Sequence, residues 1–253
     1  MKNSRLIIVT TSLALSCTTY AEEWKHGIGT GFYALTVDGD AGFNTALAGP
    51  ISFDASLETD EVQDLMDSAF GFGGFAKKGK WTIQYSLGQM KLGDEVTGLI
   101  GDTNTEASLD LTYTGQAAEL SGTYEFSRSG RNSFGFLFGL AYTSQNYELT
   151  ASSNGSQLFK GEADENWTDF IIGLTHQYAF SQNTIWSSRL DAGSEGRVFI
   201  DTGMTWVFSE SWATRLYASS TSFDYESGAR GDSDWYMYDA SESGVGLSIS
   251  YLF

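Results

Sequence analysis

Apolar residues alternate with small or polar residues in ten segments of the chain, at the period of two that is typical of β-strands. The segments lie near residues 24–37, 69–77, 80–92, 106–127, 132–148, 166–180, 184–194, 197–209, 212–225 and 240–253. In one of them, Val198 and Ile200 share one face, and Arg197 and Asp201 lie on the other. A face that carries charges in mid-strand suits the polar interior of a barrel whose outer face is apolar.

The connections between these segments alternate between short and long. Short turns lie at 77–80, 127–132, 181–183 and 209–211, and longer loops lie at 38–68, 93–105, 149–165 and 226–239, with 194–197 as a short exception. Short turns on one side and long loops on the other are typical of outer-membrane barrels. With both termini on the short-turn side, the pattern predicts an all-β fold, an antiparallel transmembrane β-barrel of ten strands. Eight strands is the alternative.

A soluble two-sheet sandwich or a lipocalin-like barrel is the other interpretation of the same alternation. Either would bury the apolar face and expose the polar one, and both faces would then be badly matched to their surroundings. Aromatic residues also bunch beside the short turns, as in the interfacial girdles of membrane barrels. They are Trp81, Tyr124, Phe126, Phe134, Tyr178, Phe180, Trp186, Phe208, Trp212, Tyr251 and Phe253. We therefore prefer the membrane barrel.

The N-terminus has the features of an export signal, with Lys2 and Arg5 before an apolar run and small residues after it. We expect a cleaved signal peptide over 1–21 and one outer-membrane barrel domain over 22–253. Lipoprotein processing before Cys17 is the alternative. Cys17 is the only cysteine, so no disulfide is expected.

The chain is strongly acidic, with a formal net charge of −18 at pH 7, which disfavours nucleic acid as a partner. The acids of the first long loop are Asp38, Asp40, Asp54, Glu58, Asp60, Glu61, Asp64 and Asp67. Outside the cell they would face lipopolysaccharide, to which divalent cations could bridge them. The alternative is that they are solvated loop charges that support solubility. Outer-membrane lipid and lipopolysaccharide are thus the expected partners.

Two stretches carry motifs of a known family. They comprise ISFD (51–54), DEVQDLMDSAF (60–70) and FAKKGKW (75–81) in the first, and WTD (167–169), RLDAG (189–193), FDY (223–225) and GLSISYLF (246–253) in the second. Together they resemble a family of small Gram-negative outer-membrane β-barrel proteins, most of them without an assigned role. In that family an acidic short helix precedes the second strand, and a basic-Gly-basic-Trp turn follows it.

The resemblance implies a barrel and a role for its last strand. The closing aromatic strand is similar to the signal by which the outer-membrane barrel assembly machinery recognises its substrates. We therefore expect Tyr251 and Phe253 to serve as assembly signal and as part of the girdle. The chain departs from the family at 216–220, where relatives often have Tyr-Arg, and Arg215 is the candidate replacement for that lumen arginine.

An outer-membrane barrel that acts as a hydrolase through a histidine needs a nucleophile or a base within hydrogen-bond reach of that histidine. His26 and His176 stand in Lys25-His26-Gly27 and Thr175-His176-Gln177, and no Asp-x-His or His-x-Ser occurs in the sequence. We interpret both histidines as interfacial side chains. We therefore expect no catalytic residues, no cofactor and no metal, and a lipid-modifying barrel enzyme is the weaker alternative.

Charged residues at inward positions predict a polar network in the lumen. They are Glu119, Glu125, Asp169, Arg189, Asp191, Arg197, Asp201 and Arg215. We expect them to pair with one another and fill a narrow interior. The alternative is that some act as general acid and base, since charges in a narrow lumen have perturbed proton affinities.

The segment 59–67 predicts a short helix with Thr59 as its cap and acids in its first turn. Val62, Leu65 and Met66 fall on one face of this helix. An apolar face within an acidic external loop indicates that the helix docks on or into the barrel mouth and narrows it. These three residues are therefore the candidates for a loop plug.

The function that these features predict is non-enzymatic: an outer-membrane protein that is structural or a narrow channel for small solutes. A ten-stranded barrel is near the size at which side chains fill the interior. The alternative is a surface binding module that uses the acidic loops to bind cations, lipopolysaccharide, or a host or phage partner.

Overall fold

The computed structural model describes residues 24–45, 49–100, 105–153 and 156–253. The expected signal peptide and Cys17 lie outside the described residues. The strands are β1 (Lys25–Thr45), β2 (Gly49–Asp54), β3 (Met66–Lys78), β4 (Trp81–Ile100), β5 (Thr105–Ser129), β6 (Asn132–Ser153), β7 (Ser156–Ala179), β8 (Thr184–Gly193), β9 (Val198–Val207), β10 (Trp212–Ser227) and β11 (Tyr236–Leu252), and the helix is α1 (Thr59–Leu65).

In the described part of the chain, ten strands form one closed antiparallel ring. Each strand from β3 to β10 pairs with the next in sequence, and β1 closes the ring by pairing with both β3 and β11. The closing seam runs from the pair Gly27↔Leu252 to the pair Phe43↔Tyr236. β2 pairs with β1 and is not one of the ten strands that form the ring. The predicted ten-stranded transmembrane barrel is confirmed, and the eight-stranded alternative is wrong.

The outer face of the ring is apolar, and the inner face is polar or small. On β11, Leu247 is 48% exposed on the outside, whereas Ser248 is 3% exposed and faces the lumen. The exposed apolar residues of β6 and β7 include Phe134, Phe136, Phe138, Leu140, Phe170, Ile172 and Leu174. A soluble protein buries such residues together, so this continuous outer surface is suited to acyl chains. The soluble sandwich and lipocalin-like alternatives are wrong.

The wall strands continue past the predicted segments at the long-loop end. The loops expected at 93–105 and 149–165 are wrong in extent, because β4–β5 and β6–β7 continue as paired hairpins through most of both ranges. The loops expected at 38–68 and 226–239 are also shorter, since β1 and β11 extend into them. These extensions lie beyond the apolar band and need no lipid-facing apolar side. The alternation of apolar and polar residues that predicts a strand is therefore weak there.

β2 and α1 fold over the long-loop end of the ring, with β2 returning along the end of β1. The helix begins where the backbone N–H of Glu58 donates to the Glu61 carboxylate at 2.8 Å. Thr59, the expected cap, is instead the first helical residue, and its hydroxyl lies 2.9 Å from that of Thr36. The helix ends two residues earlier than predicted, because Met66 begins β3. Among the described residues, no helix has the length and apolar character needed to cross a membrane.

Strand pairing between β1 and β3 is unusually short for this wall. It covers five residue pairs and stops at Gly29↔Gly73. Farther along, the backbone N–H of Val37 donates to the Leu57 carbonyl at 2.9 Å, in the segment that leads into α1. The wall therefore has a gap in strand pairing between β1 and β3, which the segment before α1 covers at its outer end.

We expect Leu247→Arg to lower the free energy of unfolding by about 2–4 kcal/mol, the cost of a cationic side chain near the bilayer midplane on the lipid face. Urea titration of the protein refolded in lipid vesicles measures this change. Leu158→Arg is the matched control, since Leu158 is 65% exposed at the loop end of β7. We expect its effect to be within about 0.5 kcal/mol. Equal effects at the two positions would contradict a lipid-facing wall.

Candidate functional site

The lumen has a polar cavity at the short-turn end, with a volume of about 180 Å³. Its lining includes Lys77, Gln84, Glu125, Thr175, Ser187 and Arg189. Glu125 accepts hydrogen bonds from Arg128 and, at 2.7 Å, from the Ser133 hydroxyl. Glu125, one of the residues predicted for the lumen network, therefore lies beside a short turn and accepts hydrogen bonds from an arginine of that turn.

Above this cavity, four charged side chains form an ion-pair belt, made of Glu119, Arg189, Asp191 and Arg197. Arg189 donates to both oxygens of Glu119, at 2.7 and 3.0 Å, and also pairs with Asp191. Arg197 donates to Asp191 at 2.8 Å and approaches Glu119 at 3.5 Å. Because Glu119 is on β5 and Arg189 is on β8, the belt joins strands that are not neighbours in the wall.

A second buried ion pair lies beside the belt. Arg215 on β10 is 1% exposed and donates to both carboxylate oxygens of Asp201 on β9. The guanidinium also lies 5.1 Å from the centroid of the Tyr217 ring. Arg215 therefore lies in the lumen, paired with Asp201.

Asp169 is fully buried but lies outside both ion-pair groups. One of its carboxylate oxygens accepts a hydrogen bond from the backbone N–H of Glu195 at 2.8 Å. The same oxygen lies 2.2 Å from where a side chain would begin at Gly193, so a larger residue there would force the Asp169 carboxylate to move. Asp169 therefore holds the tight turn between β8 and β9, a contact that its strand position alone did not indicate.

At the long-loop end, aromatic side chains cross the lumen; we call Phe43, Phe53, Tyr113, Tyr147 and Tyr236 the aromatic layer. Tyr147 lies 6.0 Å from Phe43, 4.9 Å from Tyr113 and 6.4 Å from Tyr236, measured between ring centroids. The Tyr236 hydroxyl donates to the Gln145 side chain. Tyr236 is on β11 and Gln145 is on β6, which stand on opposite sides of the ring. This contact therefore spans the full width of the barrel.

The plug candidates of the first loop lie against this layer. Val62 and Met66 are buried, and Leu65 is partly buried, within one apolar cluster that also contains Leu35 and Tyr147. The aromatic layer itself was missed by sequence reasoning. Tyr113 and Tyr147 hold inward positions within the predicted segments, and Phe43 and Tyr236 keep the inward parity of β1 and β11 beyond them, so following that parity would have identified these four. Phe53 is on β2, which the alternation did not predict.

His176 is one of the residues that line the short-turn cavity, but among the described contacts neither histidine bonds to the ion-pair belt or to the Arg215–Asp201 pair. The His176 Nε2 atom is 3.0 Å from the Asn132 side-chain oxygen, and the ring stacks on Phe134 at 4.7 Å. The His26 ring stacks on Phe253 at 5.6 Å. Among the described residues, no group of three or more histidine, cysteine, aspartate or glutamate side chains could hold a metal ion.

The last strand is paired to its final residue. The backbone of Phe253 exchanges two hydrogen bonds with that of His26, each 3.0 Å long. The Tyr251 ring meets Trp212 edge-on at 5.1 Å, and both side chains are exposed on the outer face. Tyr251 and Phe253 therefore lie in a ring of aromatic side chains at the short-turn end.

No family model matches the chain, and no curated protein matches it in sequence. Solved structures with a similar fold include the outer-membrane protease OmpT from Escherichia coli, at a TM-score of 0.57 and 8% identity, covering 93% of this chain and 99% of that one. The translocator domain of the autotransporter NalP from Neisseria meningitidis has a TM-score of 0.46 and 10% identity, covering 90% and 88%. Ail of Yersinia pestis, in complex with sucrose octasulfate, has a TM-score of 0.37 and 11% identity, covering 91% and 99%. The likeness to OmpT shows the fold alone.

We expect Asp201→Asn to lower the free energy of unfolding by about 3–5 kcal/mol, because it leaves the buried Arg215 charge without a counter-charge. Glu162→Gln is the control, since it removes a partner of Lys160 at an exposed site and should change stability by less than about 1 kcal/mol. Chemical unfolding in lipid vesicles compares the two. Similar small effects would mean that Arg215 is reached by water and is not held by Asp201.

Proposed function

We propose that this protein is a non-enzymatic outer-membrane barrel whose lumen is closed, so that it serves a structural or binding role and is not a steadily open pore. The observation that carries the proposal is the contact between Tyr236 and Gln145 across the whole width of the ring. Above it α1 covers the lumen, and below it the ion-pair belt connects β5 with β8. Two separate levels of buried side chains thus block a path for ions.

Export and orientation follow from the two ends of the barrel. In this proposal residues 1–21 are a cleaved signal, the short turns and both termini face the periplasm, and the long hairpins face outwards. The barrel assembly machinery recognises the last strand, in which Tyr251 and Phe253 lie in the aromatic girdle.

The non-enzymatic role is supported by the surroundings of the histidines. His176 faces an amide oxygen, which is not a nucleophile, and His26 is stacked between Trp24 and Phe253. Neither arrangement offers the histidine-activated nucleophile or water of a hydrolase. OmpT has the same fold and is a protease, so the non-enzymatic role is inferred from these residues and not from the fold.

A second candidate function is binding at the outer surface. All eight acids predicted for the first loop are exposed in the structure, on β1, β2, α1 and the neighbouring segments. Asp67 is paired with Lys91 at 3.4 Å. A surface of this charge would attract divalent cations from solution, without a fixed coordination site among the described residues, and, through them, anionic lipopolysaccharide.

Planar-bilayer recording tests the closed lumen. We expect no discrete conductance steps from the refolded protein, and none from a variant in which residues 49–65 are replaced by a short Gly-Ser linker, because the ion-pair belt remains. Adding Glu119→Ala, Arg189→Ala and Tyr236→Ala to that variant should produce steps. The control adds Glu162→Ala and Lys160→Ala instead and should stay silent.

Steady steps from the unmodified protein would contradict the proposal. Gel mobility before and after heating should be recorded for every variant, since it separates folded from unfolded barrels. A silent variant then counts only when it is folded.

A further inference from the structure

The segment that folds over the long-loop end of the ring, β2 and α1, is called the cap. An apolar cavity of about 160 Å³ lies between this cap and the aromatic layer. Leu65, Met90 and Leu92 contribute aliphatic surface, and the rings of Phe53, Tyr113 and Tyr147 form much of the remaining wall. An apolar cavity of about 150 Å³ in a protein core is large enough to hold benzene. This cavity therefore has room for one ring-sized molecule.

A single carboxylate, that of Glu242, faces this cavity from β11. One of its oxygens accepts a hydrogen bond from the Tyr238 hydroxyl at 2.8 Å. Among the described lining residues there is no lysine or arginine, and the other acid, Asp54, is at the exposed rim. In the described part of the chain Glu242 forms no ion pair. A carboxylate in such surroundings is stabilised by a cation that arrives from outside.

Glu242 also lines a second cavity, of about 140 Å³. This cavity shares Met90 and Tyr113 with the first and extends to Phe70. Phe70 is half exposed on the outer face of β3, in the stretch where β3 is not paired with β1. The carboxylate is therefore approached both from beneath the cap and from the gap in the wall.

We propose that the cavity beneath the cap binds a small organic ammonium ion with an apolar body, with Glu242 as the charge partner. The aromatic rings recognise the cation through their negative faces, as aromatic cages do for ammonium groups, and the aliphatic side chains contact the body. A metal cation is a poorer occupant, because calcium and magnesium take six or more oxygen ligands and this cavity offers few.

Other ligand classes fit the same cavity less well. A neutral apolar molecule fills the volume but forms no ion pair with Glu242. An organic anion is repelled by Glu242 and gains no compensating cation among the lining residues. The site lies above the ion-pair belt, so ammonium binding does not depend on whether the lumen conducts.

Titration calorimetry on the full-length mature protein in lipid nanodiscs tests this site with three probes of similar shape: benzylammonium, benzyl alcohol and benzoate. We expect benzylammonium to bind, benzyl alcohol to bind at least about tenfold more weakly, and benzoate not to bind. Glu242→Gln should weaken benzylammonium at least about tenfold and leave benzyl alcohol unchanged. Glu210→Gln, at an exposed short turn, is the control and should retain full affinity.

A second variant protects the test against an unfolded Glu242→Gln. Leu65→Trp fills the cavity without touching the charge and should abolish binding of benzylammonium in a barrel that stays folded by gel mobility. The proposal is overturned if benzylammonium does not bind, if it binds equally to the unmodified protein and to either variant, or if benzyl alcohol binds as tightly. In the last case the cavity takes neutral apolar molecules.

Discussion

The hydrocarbon of a bilayer offers no hydrogen-bond partners, so every backbone N–H and C=O within it must be bonded inside the protein. For this chain the solution is ring closure, with β11 paired to β1 from Gly27↔Leu252 onwards and Phe253 bonded to His26 at the last residue. Once the ring is closed, one side of every strand faces outwards and the other faces the lumen. Leu247 faces lipid and Ser248 faces the lumen because successive residues of a strand point to opposite sides. The sorted faces are a consequence of backbone hydrogen bonding.

The same closure determines what the interior can hold. Ten strands enclose a space that side chains can fill, and charges placed there are removed from water. Such charges persist in partnered form, which accounts for the ion-pair belt and for Arg215 bonded to Asp201. Farther up, the aromatic layer and the residues of α1 pack together in one apolar cluster. Glu242 and Asp169 are exceptions to this pairing, because Glu242 accepts a hydrogen bond from a phenol hydroxyl beside an apolar cavity and Asp169 accepts one from a backbone N–H.

The strands are predictable from the sequence where contact with lipid imposes an alternation of apolar and polar residues. The wall was predictable because each strand alternates through the apolar band, as on β9 from Val198 onwards. The extensions of β4 to β7 were not, since beyond the lipid both faces of a strand can be polar. In the lumen, parity identified the inward charges, but partner choice depends on the stagger of the strands. Glu119 and Arg189 meet although two strands, β6 and β7, separate theirs in the ring, and Asp169 bonds a turn; a local pattern reveals neither contact.

The account depends most on the claim that the odd-numbered side chains at the end of β11 contact acyl chains while the even-numbered ones face an enclosed lumen. Spin labels placed singly at each position from 244 to 252, in the protein refolded into vesicles, test this most directly through their relaxation by dissolved oxygen. Oxygen concentrates in hydrocarbon, so the account predicts maxima at 245, 247, 249 and 251 and minima between them. Maxima at the even positions, or no alternation, would contradict it.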